Sequence, residues 1–328
     1  MIRRTFLVTL VALCLAAPAT ANDSVASMGT GGLILQRTDG IVMRSEDLFV
    51  SAREIRVRYR FFNRTNRDIA TIVAFPLPDI VGGSESDVAM PDPGALTFVT
   101  TVGGRRVRTS VEQKVILGEA DHTGLLRDLG LPLSPYASGV REAIAALPRQ
   151  QIDRLAAMNL IEDRGYTDGA DRVVDYVPLW TLKTTHYWTQ VFQAGRTLNV
   201  DHRYSPAIGG SAGSLFGDPD AAGSDYAVEH ATLYCADAAF QAGAARLLRQ
   251  GQSLTETWID YVLTTGANWA EPIREFRLVV DKGSSHNLVS FCGENVRRIS
   301  PTQFEMRRTN FTPTRDLSVV IVSGVQLE

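Results

Sequence analysis

Ile55-Arg56-Val57-Arg58-Tyr59-Arg60-Phe61 alternates apolar side chains with arginines. A period of two belongs to an extended chain whose successive side chains point to opposite faces. The stretch therefore reads as a strand with one buried and one wet face. Asn63 to Asp68 supply a polar turn, and Ile69 to Phe75 return as a second strand. Thr97 to Val102 and Arg105 to Val115 flank Gly103-Gly104, a two-residue loop suited to a hairpin. From Gly31 to Ile116 the pattern is that of an antiparallel, sandwich-like unit.

The period changes between Asp121 and Asp163. Pro148 stands where a helix starts, and Ile152, Leu155, Ala156 and Leu160 follow at helical spacing. An earlier helical segment covers about Ser138 to Leu147. Strand signals resume at Val177; Thr184 to Gln193 and Thr197 to Tyr204 alternate again, joined through Ala194-Gly195-Arg196, where a hairpin would pair them. Gly209 to Gly223 is glycine-rich and reads as a loop. Leu233, Ala236, Phe240, Ala244 and Leu247 fall near one face, so Ala231 to Gln250 reads as one helix stopped by Gly251. Trp258 to Leu263, Phe276 to Val280, Leu288 to Phe291 and Leu317 to Val322 complete a second β-rich unit. The expected class is mainly β with helical insertions, as two antiparallel β-sandwich-like domains. Their expected bounds are 22–120 and 166–328, with a helical insertion at 121–165 and one helix at 231–250.

The first 21 residues read as a secretory leader. Arg3 and Arg4 precede an uncharged run from Thr5 to Ala17, and Ala19-Thr20-Ala21 gives the small-x-small site a signal peptidase needs. The run is shorter than the ~20 residues that span a bilayer. Cys14 follows Leu13 with no small residue before it, so a lipid anchor is not expected. Cleavage removes two arginines and no acid, moving the net charge from −3 to −5. That mild excess gives no footprint for nucleic acid. Cys235 and Cys292 then remain, and an oxidising compartment favours one disulfide between them over two buried thiols.

Met43-Arg44-Ser45-Glu46-Asp47-Leu48 and Phe75-Pro76-Leu77-Pro78-Asp79 open a series of blocks. Thr265-Gly266-Ala267-Asn268-Trp269, Leu278-Val279-Val280-Asp281-Lys282-Gly283 and Leu288-Val289-Ser290-Phe291-Cys292-Gly293 continue it. Together they resemble the bacterial family catalogued as domain of unknown function 4424. The resemblance implies an exported protein of Gram-negative bacteria and no particular activity. Tyr59-x-Phe61-x-Asn63, Phe75-Pro76-Leu77-Pro78 and Val102-Gly103-Gly104-Arg105-Arg106-Val107 are similar to the vault/inter-alpha-trypsin type of extracellular β-sandwich. The Asp-x-Ser-x-Ser metal motif that accompanies that module's adhesion partner is absent from the sequence.

Candidate chemistry is sparse. Asp218, Asp220, Gly223 and Glu229 fit positions 1, 3, 6 and 12 of a calcium loop, with Asp225 a further oxygen donor. Ala222 at position 5 and Pro219 depart from that pattern, and a polar surface loop is the competing reading. Gly209-Gly210-Ser211-Ala212-Gly213 matches the nucleophile-elbow pattern, but a small-residue loop among antiparallel strands lacks the strand–turn–helix setting the elbow requires. His186 and His202 approach each other if their strands pair, although no third metal ligand stands at a diagnostic spacing. Trp180, Tyr187, Trp188 and Tyr204 offer either a sugar platform or core. No catalytic residue and no cofactor is singled out beyond the possible Ca2+. The expected role is a non-enzymatic periplasmic binding or envelope-associated protein, with an envelope protein or a glycan as partner. The competing class is a periplasmic hydrolase using Ser211 or a metal-assisted site.

Overall fold

The computed structural model describes residues 22–30, 32–83, 87–89, 98–169 and 171–326. The expected leader, with Cys14 and its cleavage motif, lies outside the described residues. The arginine-flanked stretch forms the strand Ile55–Asn63, with Ile55, Val57, Tyr59 and Phe61 buried and Arg56, Arg58 and Arg60 in solvent. It is central in an eight-stranded sheet. The order there is Arg297–Arg298, Gln303–Phe311, Ile273–Asp281, Ile41–Ser51, Ile55–Asn63, Thr197–Tyr204, Val99–Val102 and Arg105–Val107. The expected Gly103-Gly104 hairpin is present: Val102 pairs with Arg105, and both glycines hold the positive φ that a two-residue turn requires.

A seven-stranded sheet runs Ala120–Asp121, Ser110–Leu117, Thr181–Phe192, Ile69–Pro76, Ser24–Gly29 and Gly32–Gln36, with Ile80–Val81 added beside Thr181–Phe192. A five-stranded sheet runs Leu288–Phe291, Leu317–Gln326, Gln252–Tyr261, Ile208–Ser211 and Asp87–Ala89. The fold is thus mostly β and its sheets are antiparallel but for one pairing: Ile273–Asp281 lies parallel to Ile41–Ser51. All three sheets feed one core, in which Phe61 meets Phe192 and Phe75 meets Tyr261. Burying such large side chains supplies about 1.5–3 kcal/mol each relative to exposure. The sheets therefore cross the division expected between 22–120 and 166–328.

Three local expectations are corrected. The strands Thr181–Phe192 and Thr197–Tyr204 are not a hairpin; they enter different sheets, the first pairing with Ile69–Pro76 and the second with Ile55–Asn63. Gly209 to Gly223 is not all loop, since Ile208–Ser211 pairs with Gln252–Tyr261. The expected helix 231–250 is two helices, Asp225–Leu233 and Ala238–Arg249. The first ends at Leu233, with Tyr234 as its cap, and Asp237 starts the second, its carboxylate accepting the Phe240 N–H at 2.8 Å as an N-cap. Of the two readings offered for the aromatics, Trp180, Trp188 and Tyr204 take the second and fill core.

The 121–165 stretch does carry the expected helices, at Thr123–Asp128, Val140–Ala145 and Arg149–Ala157, around a separate core that includes Leu126, Ile144, Leu155 and Trp180. Pro148 stands at the start of the third, where a missing N–H costs nothing. Among the described residues no helix is long and apolar enough to cross a membrane.

Candidate functional site

The Cys235–Cys292 disulfide is formed, with Cα atoms 5.0 Å apart. Cys235 sits at the junction of the two helices with φ of 51°, and the Ser290 hydroxyl donates to the Tyr234 carbonyl at 3.0 Å. The five-stranded sheet thereby fixes the elbow between Asp225–Leu233 and Ala238–Arg249. The loop before the first helix folds back over both. Gly217 donates its N–H to Gln241 Oε1 at 2.8 Å and has a φ of 73°.

This arrangement forms a half-open pocket of about 480 Å³. Leu215, Phe216, Pro219, Val228, Ala231 and Ala245 give it apolar walls, and His230 lies at its floor. Its size is within the usual range for small-molecule sites, roughly 300–1,000 Å³. His230 is held on every side. Its ring stacks between Phe216, 5.1 Å away, and Tyr226, 5.6 Å away, with Tyr234 and Trp258 edge-on. Its Nε2 is 2.7 Å from Glu256 Oε2, which also accepts the Trp258 Nε1–H at 2.6 Å. Burial pushes the Glu256 carboxyl up, but the hydrogen bonds from His230, Ser214 and Trp258 outweigh it, so the group lies below the ordinary range. The pocket thus joins apolar walls to one oriented, anion-backed imidazole.

Of the residues expected to hold calcium, Asp218 alone lines this pocket. Asp218 accepts the Asp220 N–H at 2.9 Å, as in a local turn, whereas Asp225 and Glu229 lie on the helix capped by Ser224. Among the described residues, no group of three or more His, Cys, Asp or Glu side chains is gathered as a metal would require. Ser211 ends its strand opposite Glu256 in the ladder, and its Oγ accepts the Gly213 N–H at 3.2 Å. The strand runs on into a bend and not directly into a helix, so the elbow setting is not met.

His186 and His202 do come together, though from facing sheets. Phe98 stacks between them, with ring centroids 3.9 Å and 5.2 Å away. Burial, with the neighbouring His202, holds His186 down to about 4, so it stays neutral. His202 is bonded to Thr100 through Nδ1 and to Asp23 through Nε2. Sequence reasoning missed His230 and Glu256 altogether. Their only advance signal was the placement of a histidine and an acid on inward-facing positions beside Trp258.

No curated protein matches the chain. A solved candidate nutrient-binding protein of Legionella pneumophila is similar at 14% identity and a TM-score of 0.46, over 92% of this chain and 70% of that one. An M1 zinc metallopeptidase of Deinococcus radiodurans is similar at 11% identity and a TM-score of 0.26, over 87% of this chain and 43% of its own length. Neither likeness bears on function. The family profile described as Domain of unknown function (DUF4424) matches residues 21–320, which is nearly all of the described chain, and the protein belongs to that family.

Proposed function

We propose that this protein is an exported, non-enzymatic binding protein of the periplasm whose ligand is a compact, largely apolar molecule with one polar group. The observation that carries the reading is the pocket over His230: apolar walls, a built aromatic stack and a single imidazole already oriented by Glu256. An apolar body supplies affinity by leaving water, and one convergent polar group fixes its orientation. Under this reading the 218–229 loop serves as a wall. The formed disulfide accords with an oxidising compartment.

A thermal-shift series with aromatic alcohols, indoles and short fatty acids tests it. A ligand bound only by the native state raises the melting temperature, by about 2.7 kcal/mol of stability at a hundredfold excess over Kd. Ala227→Trp, which places a large side chain into the pocket from a half-buried position, is expected to abolish the shift and leave the fold intact. A series with no shift, or shifts unchanged by Ala227→Trp, defeats the reading. Stabilisation by millimolar Ca2+ alone restores the calcium-loop assignment, and ester or peptide hydrolysis lost in Ser211→Ala restores the hydrolase.

A further inference from the structure

Asn22 and Asp23 are fully buried, although they precede the first strand of the seven-stranded sheet. The backbone nitrogen of Asn22 donates to Thr265 Oγ1, whose hydroxyl in turn donates to the Asn22 carbonyl at 2.7 Å. The Asn22 side-chain amide donates to Glu46 Oε2 at 2.9 Å, and Tyr59 OH donates to Asn22 Oδ1. Trp269 Nε1 donates to the Asp23 carbonyl at 2.7 Å. The eight-stranded sheet and the segment Thr264–Asn268 therefore close on the two residues that precede the first strand, and Tyr261 of the five-stranded sheet bonds on to Tyr59.

The titratable groups facing this point are Asp23, Glu46, Tyr59, Tyr204, Tyr261 and His202, all buried. Two are carboxyls and the one basic side chain among them is His202, so the acids outnumber the bases. The imbalance has a visible mark. Asp23 Oδ1 lies 3.1 Å from His202 Nε2, but Asp23 Oδ2 is buried with no hydrogen-bond partner. An unpaired buried carboxylate oxygen costs free energy unless a donor reaches it.

We propose that the α-ammonium group of Asn22, generated by cleavage after Ala21, is the cation this site is built to hold. The proposal rests on the export reading above. The step is hydrolysis of the Ala21–Asn22 peptide bond by a peptidase: water supplies the second oxygen of the new Ala21 carboxylate, and both its hydrogens end on the released nitrogen, which becomes the ammonium. Cleavage turns one N–H donor, now held by Thr265 Oγ1, into three and adds a positive charge to the residue whose side-chain amide bonds Glu46 and whose neighbour is Asp23. Because the bond to be cut adjoins fully buried residues, cutting must precede closure of the core. Leader removal thereby completes the folded core as well as releasing the chain.

In a chain that keeps an amide at Asn22, burial pushes the Glu46 carboxyl up to about 8, the Asn22 hydrogen bond opposing and the Asp23 charge adding to the rise. A folded-state value above the unfolded 4.5 means that this stability is complete below pH 4.5 and is lost as pH rises through about 8. An ammonium on the residue whose side chain bonds Glu46 is expected to reduce that loss.

The test compares protein beginning at Asn22, freed from a scarless fusion, with the same protein N-acetylated and with one retaining Ala21. The Asn22 form is expected to melt roughly 5–10 °C above both others at pH 7.5 and to hold its melting temperature between pH 5 and 8. The blocked forms lose theirs across that window. Glu46→Gln is expected to lower the melting temperature of the Asn22 form and to raise that of the acetylated form. A second readout needs no variant: at pH 7 an amine-reactive ester should leave the Asn22 amine unlabelled in the native protein and label it in urea. Equal melting curves and equal pH profiles for free and blocked termini, or rapid native labelling of Asn22, overturn the proposal. N-terminal sequencing of periplasmic protein judges the export reading separately: an uncut leader there defeats export, and the in vitro comparison still decides whether the site holds the amine.

Discussion

At the scale of single residues, charge placement is decided by what the backbone does just before it. A β-bulge between Met43 and Ser45 shifts the phase of the strand Ile41–Ser51, so that Glu46 faces the core together with Leu48 and Val50, directly opposite Tyr59. Glu305 shows the opposite solution at the far side of the same sheet. Its side chain is 3% exposed yet meets Arg277 at 2.8 Å, Arg297 at 2.5 Å and Arg307 at 2.9 Å. The Arg307 hydrogen bond, with those of Arg277 and Arg297 against an opposing burial effect, holds the carboxyl down to about 2. The folded value lies below the unfolded one, so the stabilisation is present above about pH 4.5 and disappears as pH falls through about 2. The arginines are largely exposed and water screens them, so Glu305→Gln is expected to cost only about 1–2 kcal/mol at pH 7. Urea midpoints at pH 7 and pH 3 check this: the gap between wild type and variant should shrink at pH 3, and a gap that does not depend on pH refutes the assignment. None of this was legible from residue types, because a Glu in an alternating strand looks the same whether a bulge turns it inward or arginines gather round it.

Elements were read well where one residue type has one physical use, and poorly where a pattern serves two structures. Gly103-Gly104 marks a hairpin because both residues need positive φ, and Pro148 marks a helix start because it lacks a donor. The apolar spacing from Ala231 to Gln250 instead runs through a break. Asp237 caps the second helix there, a signal present in the sequence that the continuous periodicity hid. The pocket escaped notice for a similar reason: alanines and prolines carry no motif, and their concavity exists only once the loop at Gly217 lies against the helix Ala238–Arg249. The disulfide holds that elbow, and its loss should be felt there first. A crosslink over a separation of 57 residues restricts the unfolded chain by about 4 kcal/mol on chain-entropy grounds, and measured values run nearer 2–4 kcal/mol. The paired Cys235→Ser, Cys292→Ser variant is expected to lose about that much in denaturant and to weaken whatever ligand fills the pocket. Unchanged stability in the variant would show that Ser290 and the packing of the two helices suffice to fix the elbow.

For the whole molecule, the question is whether the chain contains parts that stand alone. Strand alternation placed the sheets' inward faces correctly but was silent about partners, since an alternating strand has the same pattern beside a parallel or an antiparallel neighbour. The pairing of Ile273–Asp281 with Ile41–Ser51 joins strands more than 200 residues apart and lies in the middle of the eight-stranded sheet. Ile55–Asn63 likewise depends on Thr197–Tyr204, and the core residues Phe61 and Phe75 are covered by Phe192, Trp269 and Tyr261 from later in the chain. A fragment of residues 22–120 would therefore expose two unpaired backbone edges and an apolar face, with no compensation for its ordering entropy. It is expected to lack a cooperative melting transition and to show the amide dispersion of an unfolded chain, while the full chain melts in one step. The complementary fragment 166–328 is expected to behave alike, because its strands Ile273–Asp281 and Thr197–Tyr204 lose the same central partners. Mixing the two leaves out the 121–165 helices, which pack on their own core around Trp180, so the mixture should recover β structure only in part. A cooperative transition in the isolated 22–120 fragment would show instead that the first span carries its own core, and the closure on Asn22 would then have to form late, as a docking step between finished halves.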